Sequence, residues 1–165
     1  MSAETITTAL FLITAVVASA VLINAVYPVI QTMAGTFSSS THESDVRIRT
    51  DFKIIATSAN ASGTAQVWMK NIGSERISLS EIQRADVFCG KVGSFDHLTY
   101  TNGSLVDTKW TADFGPGYDL NTNSYWDSGE TLKVNAKTSI SSGDKVYFQF
   151  ALPNGIWRSN EFTAS

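Results

Sequence analysis

The sequence predicts an α+β protein in which one long hydrophobic N-terminal α-helix precedes an antiparallel β-sandwich or barrel. Two observations carry this prediction. No Asp, Glu, Lys or Arg occurs between Glu4 and Glu43. After residue 45 the chain breaks into seven or eight short β-rich segments separated by Asn, Gly and Ser, with no strong helical periodicity, which excludes an α/β fold. We predict the helix over residues 1–36, a polar hinge over 37–45 and the β domain over 46–165.

The first element is a helix that must be buried on every side. From Ile6 to Ile30 the apolar residues leave no polar face. About 30 residues at about 1.5 Å each give roughly 45 Å, which is enough to cross a hydrocarbon layer about 30 Å thick. A secretory signal is disfavoured, because no basic region precedes the run. A bilayer or a bundle of similar helices could therefore surround it.

Small residues within the helix favour close contact between helix backbones. Pro28 also lies in the run and removes the hydrogen bond to the Asn24 carbonyl, which predicts a bend. A single-pass membrane anchor is the alternative, but such an anchor normally carries Lys or Arg beside its cytoplasmic end. The predicted packing positions are Ala9, Ala15, Ala18, Ser19, Ala20, Ala25 and Pro28.

The β domain is predicted from a series of short strands. The first is VRIRTDFKI, residues 46–54, where apolar and charged residues alternate with the period of a strand that has one buried face. Seven further segments have strand character and turn-prone flanks. They cover residues 64–70, 84–89, 95–101, 105–113, 131–136, 145–151 and 156–162.

Composition and motifs argue against catalysis and against nucleic-acid binding. The net charge is −3, and the twelve Lys and Arg residues form no block. Neither a phosphate-binding Gly-rich loop nor a Gly-x-Ser-x-Gly elbow is present. His42 and His97 have no neighbours at metal-ligand spacing, so we place both on the surface. Cys89 is the only cysteine, which excludes an intramolecular disulfide and predicts a buried structural thiol.

One loop, DLNTNSYWDSGE, has the spacing of a Ca²⁺ site. Its oxygen-bearing residues fall at positions 1, 3, 5, 9 and 12 of a twelve-residue loop, and position 7 could offer its backbone carbonyl. Ser124 stands at position 6, where Gly is preferred, and no helices flank the loop. An Asx-rich turn is the alternative. The predicted ligands for Ca²⁺, or for Mg²⁺, are Asp119, Asn121, Asn123, Tyr125, Asp127 and Glu130.

Two N-glycosylation sequons occur in turn-rich segments of the β domain. They are Asn60-Ala61-Ser62 and Asn102-Gly103-Ser104. Glycans at Asn60 and Asn102 would require an exported, surface-exposed loop.

Several stretches resemble the archaellins, the filament subunits of the archaeal flagellum, and more broadly the archaeal type IV pilin-like superfamily. They are the helix ITTALFLITAVVASAVLINAVYPVI, the segment VWMKNIGSERISLSEI with its Lys-Asn-x-Gly turn, and SGETLKV with SGDKVYFQFALPNGIW near the end. The resemblance covers most of the chain. It implies an immunoglobulin-like β domain and a structural subunit of the archaellum, a filament for swimming motility, with residues 1–36 as the filament core.

The resemblance also implies partners and a location. Many copies form one helical filament on the cell surface, outside the cell. Before assembly the subunit is in the membrane, where it meets an assembly platform and its ATPase, and no cofactor is required. Archaellins lose a short basic leader, so we take Met1 to be at or near the mature start. An adhesive type IV-like pilus subunit and a membrane-anchored, stator-like archaellum protein remain alternatives.

Overall fold

A computed structural model of the chain describes residues 3–115 and 117–165. Helix α1, Ala3–Arg49, continues without interruption through Pro28, and none of its residues is buried. The chain divides into two compact units, of which one ends at Ser44 and the other comprises Asp45–Ser165.

The helix is longer than the sequence predicted. It includes residues 37–45, so the predicted polar hinge is wrong, as is the strand assignment for residues 46–49. Ser and Thr are accommodated because their hydroxyls donate to carbonyls one turn earlier, as Thr41 does to Phe37 at 2.8 Å. The helix then ends at Arg49, whose guanidinium lies 3.5 Å from the carboxylate of Asp45, one turn earlier. Arginines in the last turn also interact favourably with the helix dipole.

In the described part of the chain, ten strands and one short helix follow α1. The strands are β1 Phe52–Ala59, β2 Thr64–Asn71, β3 Ile77–Ser78, β4 Asp86–Lys91, β5 Ser94–Tyr100, β6 Lys109–Asp113, β7 Tyr125–Trp126, β8 Thr131–Lys137, β9 Lys145–Ala151 and β10 Trp157–Thr163; helix α2 is Leu79–Gln83. Seven predicted strands thus correspond to β2, β4, β5, β6, β8, β9 and β10. The two-residue strands β3 and β7 and the helix α2 were not predicted.

The strands form an eight-stranded sheet in the order β1-β2-β8-β6-β5-β4-β9-β10, while β3 and β7 form a separate pair. Every pairing is antiparallel except that of β5 with β6, where Thr99 lies opposite Lys109. The predicted fold class, a long N-terminal helix followed by an antiparallel β-sandwich or barrel, is confirmed, with the parallel β5–β6 pair as an exception that was not predicted.

The core of the β domain follows from alternation along the strands. In β2, β8 and β9 every second residue is buried. Aromatic rings meet at its centre: Phe52 lies 5.7 Å from Trp126 and 5.6 Å from Phe150, measured between ring centroids. Cys89 is fully buried, and this burial raises the pKa of its thiol to about 12, so the thiol is uncharged. The prediction of a buried Cys89 is confirmed.

Candidate functional site

The helix α1 exposes a large apolar surface. From Ile6 to Phe37, the exposed fraction of its large apolar side chains ranges from 43% at Val26 to 76% at Phe37. Among the described residues this is the one helix long and apolar enough to cross a membrane. Soluble monomers rarely leave contiguous apolar surface of this extent in water, and larger patches mark interaction sites. The helix is therefore the main candidate for an interaction site.

The hydroxyl groups in the apolar run oppose its burial only weakly. Thr7, Thr14 and Ser19 donate to carbonyls of their own helix at 2.8–3.0 Å. Their hydrogen-bonding capacity is thus partly used within the helix, which lowers the cost of removing them from water. The predicted packing residues, Ala9, Ala15, Ala18, Ser19, Ala20, Ala25 and Pro28, all lie on this exposed helix. Their contact with other helices stays a prediction.

The predicted metal loop is closed by its own hydrogen bonds. The carboxylate of Glu130, a buried side chain, accepts from the backbone N–H groups of Leu120 and Asp127, both at 2.9 Å. Asp119, also buried, accepts from the N–H of Ser124 at 3.0 Å. These are the contacts of an Asx-type turn, in which carboxylate oxygens satisfy backbone donors.

The exposed side chains of this loop also form hydrogen bonds within the loop. The side-chain amides of Asn121 and Asn123 each donate to Asp127 at 2.7 Å, and these bonds hold the pKa of Asp127 below its ordinary value. Asn123 also accepts from the N–H of Tyr125 at 2.8 Å. Within residues 3–115 and 117–165, no group of three or more His, Cys, Asp or Glu side chains is placed to hold a metal ion. The Ca²⁺ site stays a prediction.

Both glycosylation sequons lie on the surface of the β domain. Asn60 is exposed in the turn between β1 and β2, where its side-chain oxygen accepts from the Ser62 hydroxyl at 2.7 Å. Asn102 is exposed after β5 and accepts from the Tyr100 hydroxyl at 2.6 Å. The side chains are accessible, and glycan attachment stays a prediction.

The Lys-Asn-x-Gly segment joins the end of α1 to the sheet. Asn71 is fully buried, and its side-chain amide donates to the carbonyls of Glu75 and Trp126 at 2.9 and 2.8 Å. Gly73 follows, and its N–H donates to the Asp51 carbonyl at 2.8 Å. A side chain at Gly73 would meet the Arg49 carbonyl oxygen at 2.3 Å, so the close approach requires glycine. Sequence reasoning identified this motif by resemblance and missed its role.

Comparisons with solved structures agree with this architecture. The archaeal flagellum of Methanospirillum hungatei strain JF1 matches with a TM-score of 0.56 at 15% identity, covering 94% of this chain and 93% of the other. The archaellum periplasmic stator protein FlaG from Sulfolobus acidocaldarius matches with a TM-score of 0.54 at 25% identity, covering 68% of this chain and 99% of FlaG. The FlaF and FlaG complex from the same organism matches with a TM-score of 0.54 at 25% identity, covering 67% of this chain and 87% of that chain.

Sequence comparison defines the family. An uncharacterised protein of Archaeoglobus fulgidus is 29% identical over 168 residues, which cover 98% of each chain. The sequence profile of archaeal-type flagellin matches residues 2–162. This match spans the exposed apolar helix as well as the β domain, and it confirms the resemblance to archaellins. The chain therefore belongs to the archaeal-type flagellin family.

Proposed function

We propose that this chain is a structural subunit of an extracellular archaellum filament and that it polymerises through α1. The observation that carries the proposal is the apolar surface of α1, which has no charged residue between Glu4 and Glu43. Burying it between copies contributes about 25 cal/mol per Å² of apolar area removed from water. The family match and the fold shared with an archaeal flagellum support the same assignment.

The β domain suits the outside of such an assembly. All Lys and Arg residues lie at or after Arg47, and Glu4 is the single acidic residue before Glu43. Most charged side chains therefore lie in the part that stays in water, while the uncharged stretch of α1 forms the core. Before assembly α1 can reside in a membrane, where we propose that a membrane-embedded platform and its ATPase receive the subunit. We assign no catalytic activity to the chain.

Electron microscopy of the purified full-length protein tests this proposal. We expect helical filaments after detergent is removed, and a soluble monomer from a chain that starts near Ser44. Filaments formed without α1 would contradict polymerisation through the helix, and full-length protein that stays monomeric would contradict the filament function.

A stator-like role is the second candidate, and one observation favours it. Identity to FlaG is 25%, higher than the 15% identity to the archaeal flagellum, and the match covers 99% of the FlaG chain. Shearing cells separates the two functions: a filament subunit leaves with the sheared filaments, whereas a stator-like protein stays in the cell envelope. An adhesive pilus subunit would also leave with filaments, but its deletion would reduce attachment and leave swimming intact.

We also propose that the loop Asp119–Glu130 binds Ca²⁺ or Mg²⁺ weakly. Ligand spacing supports this proposal, and the internal hydrogen bonds of the loop offer the competing explanation. At a dissociation constant of about 10⁻⁴ to 10⁻³ M, millimolar Ca²⁺ would add roughly 0.4 to 1.4 kcal/mol to the free energy of unfolding. Thermal unfolding with chelator and with added Ca²⁺ measures this, and equal midpoints would reject the site.

Glycans at Asn60 and Asn102 are the last part of the proposal. Both side chains are exposed, so a bulky sugar fits at either position. The intact mass of the protein from its native cells decides the matter, since a mass equal to that of the polypeptide would exclude both modifications.

A further inference from the structure

A short polar stripe interrupts the apolar surface of α1. Asn24, Tyr27 and Gln31 lie at positions i, i+3 and i+7, and residues with this spacing share one face of a helix. Pro28, at i+4, lies on the same face. Apart from Thr32, the other positions from Ile23 to Met33 are apolar. We call Asn24, Tyr27 and Gln31 the polar stripe.

The side chains of the polar stripe are exposed and lack partners. Tyr27 is 61% exposed, and Asn24 and Gln31 are also exposed. Within the part of the chain that the structure describes, their polar side-chain atoms make no hydrogen bond. The nearby Thr32 differs, because its hydroxyl donates to the Pro28 carbonyl at 2.9 Å. The stripe thus offers donors and acceptors that its own helix does not use.

The backbone loses a regular hydrogen bond at the same place. In an α-helix the Asn24 carbonyl would accept from the N–H of residue 28, but that residue is proline and has no N–H. The Asn24 carbonyl therefore loses its regular helical partner, next to an Asn24 side chain that its own helix leaves unpaired. A buried polar group without a partner is unfavourable inside a protein and more unfavourable in hydrocarbon.

The position of the stripe places it deep in any assembly that buries α1. Asn24 is near the centre of the uncharged run from Thr5 to His42. About 18 residues of helix on either side correspond to roughly 27 Å. Neither lipid tails nor the flanking apolar side chains can supply hydrogen bonds there. Primary amides both donate and accept, so the stripe of a second copy of this chain provides what the first one lacks.

We propose that Asn24, Tyr27 and Gln31 form a hydrogen-bonded seam with the helix of a second copy of this chain, with the Asn24 carbonyl among its acceptors. This proposal rests on the proposed polymerisation through α1 and deepens it. Apolar burial favours association in many relative positions, whereas a polar residue in an apolar interface selects one register. The seam would therefore set how neighbouring helices are aligned.

The test compares variants of the full-length chain that is polymerised by removing detergent. Asn24→Leu keeps a similar shape but removes the amide, and Asn24→Gln retains the amide. The matched control is Thr14→Val, because the Thr14 hydroxyl already donates to Leu10 within its own helix. Sedimentation measures the subunit concentration above which polymer forms, and electron microscopy measures how regular the helical arrangement of the subunits is.

We expect Asn24→Leu to raise that concentration about three- to tenfold, which corresponds to about 0.6–1.4 kcal/mol, and to make the helical order of the polymer less uniform. Asn24→Gln and Thr14→Val should stay near the wild type. A purely apolar interface predicts the opposite sign, so an unchanged or lower concentration for Asn24→Leu would overturn the seam while leaving the filament function intact. An equal change in this concentration for Asn24→Leu and Asn24→Gln would also overturn the seam.

The same experiment separates the seam from the filament function. Wild-type protein that stays monomeric in detergent and in phospholipid vesicles would overturn both. A discrete wild-type dimer that dissociates more readily in Asn24→Leu would reject the filament and support the seam.

Discussion

Ser124 has a left-handed backbone conformation that glycine would adopt more easily. Its φ is 63°, and its N–H is held by the Asp119 carboxylate at 3.0 Å. The left-handed conformation costs a non-glycine residue about 1–2 kcal/mol, partly offset by the higher entropy of glycine in the unfolded chain. We expect Ser124→Gly to raise the free energy of unfolding by up to about 1 kcal/mol, measured by chemical denaturation. Ser124→Val should lower it, and equal stability of both variants would contradict this strain.

Asp127 makes the stability of the fold depend on pH. Hydrogen bonds from the side-chain amides of Asn121 and Asn123 lower the folded-state pKa of Asp127. The ionised form therefore stabilises the fold above the unfolded pKa of about 3.9. This contribution is lost as pH falls through the lower, folded pKa. Asn121→Ala combined with Asn123→Ala should reduce stability at pH 7 and flatten its decline below about pH 4. Denaturation midpoints at several pH values check this, and parallel pH profiles of the two proteins would contradict it.

The turn after β2 depends on the close approach of Gly73 to the end of α1. A Cβ there would meet the Arg49 carbonyl oxygen at 2.3 Å and the Asp51 nitrogen at 2.5 Å, both of them backbone atoms. We expect Gly73→Ala to destabilise the β domain by about 1–3 kcal/mol, the usual cost of overpacking.

Gly103→Ala is the control for this substitution. The nearest atom to a Cβ at Gly103 is the Thr101 hydroxyl oxygen at 3.7 Å, an ordinary contact. Thermal unfolding followed by tryptophan fluorescence compares the two variants. A wild-type midpoint for Gly73→Ala would show that this turn can move away from the helix end.

The elements also show which parts of the fold could be predicted. Strands with alternating burial, such as β8 and β9, were predicted almost to the residue because one face packs on the core. The end of α1 was not, because Ser and Thr suggest a hinge by composition yet bond to their own helix. Helix α2 had a usable signal, since Ser78 and Glu81 form a capping box. The loop Asp119–Glu130 was identified from the spacing of its oxygen-bearing residues, but its internal hydrogen bonds depend on backbone conformation that spacing alone does not determine.

Apolar surface and charge are separated along the chain. The uncharged stretch of α1 between Glu4 and Glu43 is exposed on every side, whereas the β domain buries its apolar residues and carries most of the charges. A charge placed within the apolar run therefore tests association directly, because an unpaired charge in an apolar interface costs several kcal/mol. The fold of the β domain should be unaffected, since Ala18 lies in the unit that ends at Ser44.

We therefore expect Ala18→Arg to prevent polymerisation, with the thermal midpoint of the β domain unchanged. Ser39→Arg is the matched control, because it adds the same charge to the polar part of the same helix, where Thr41 and His42 are close in sequence. Sedimentation after detergent removal measures polymer in both variants and in the wild type. Normal polymerisation of Ala18→Arg would show that this face of the helix remains in contact with water in the assembly. Loss of polymer in both variants would instead mean that the tightly packed interface continues beyond Gly35 to the polar end of the helix.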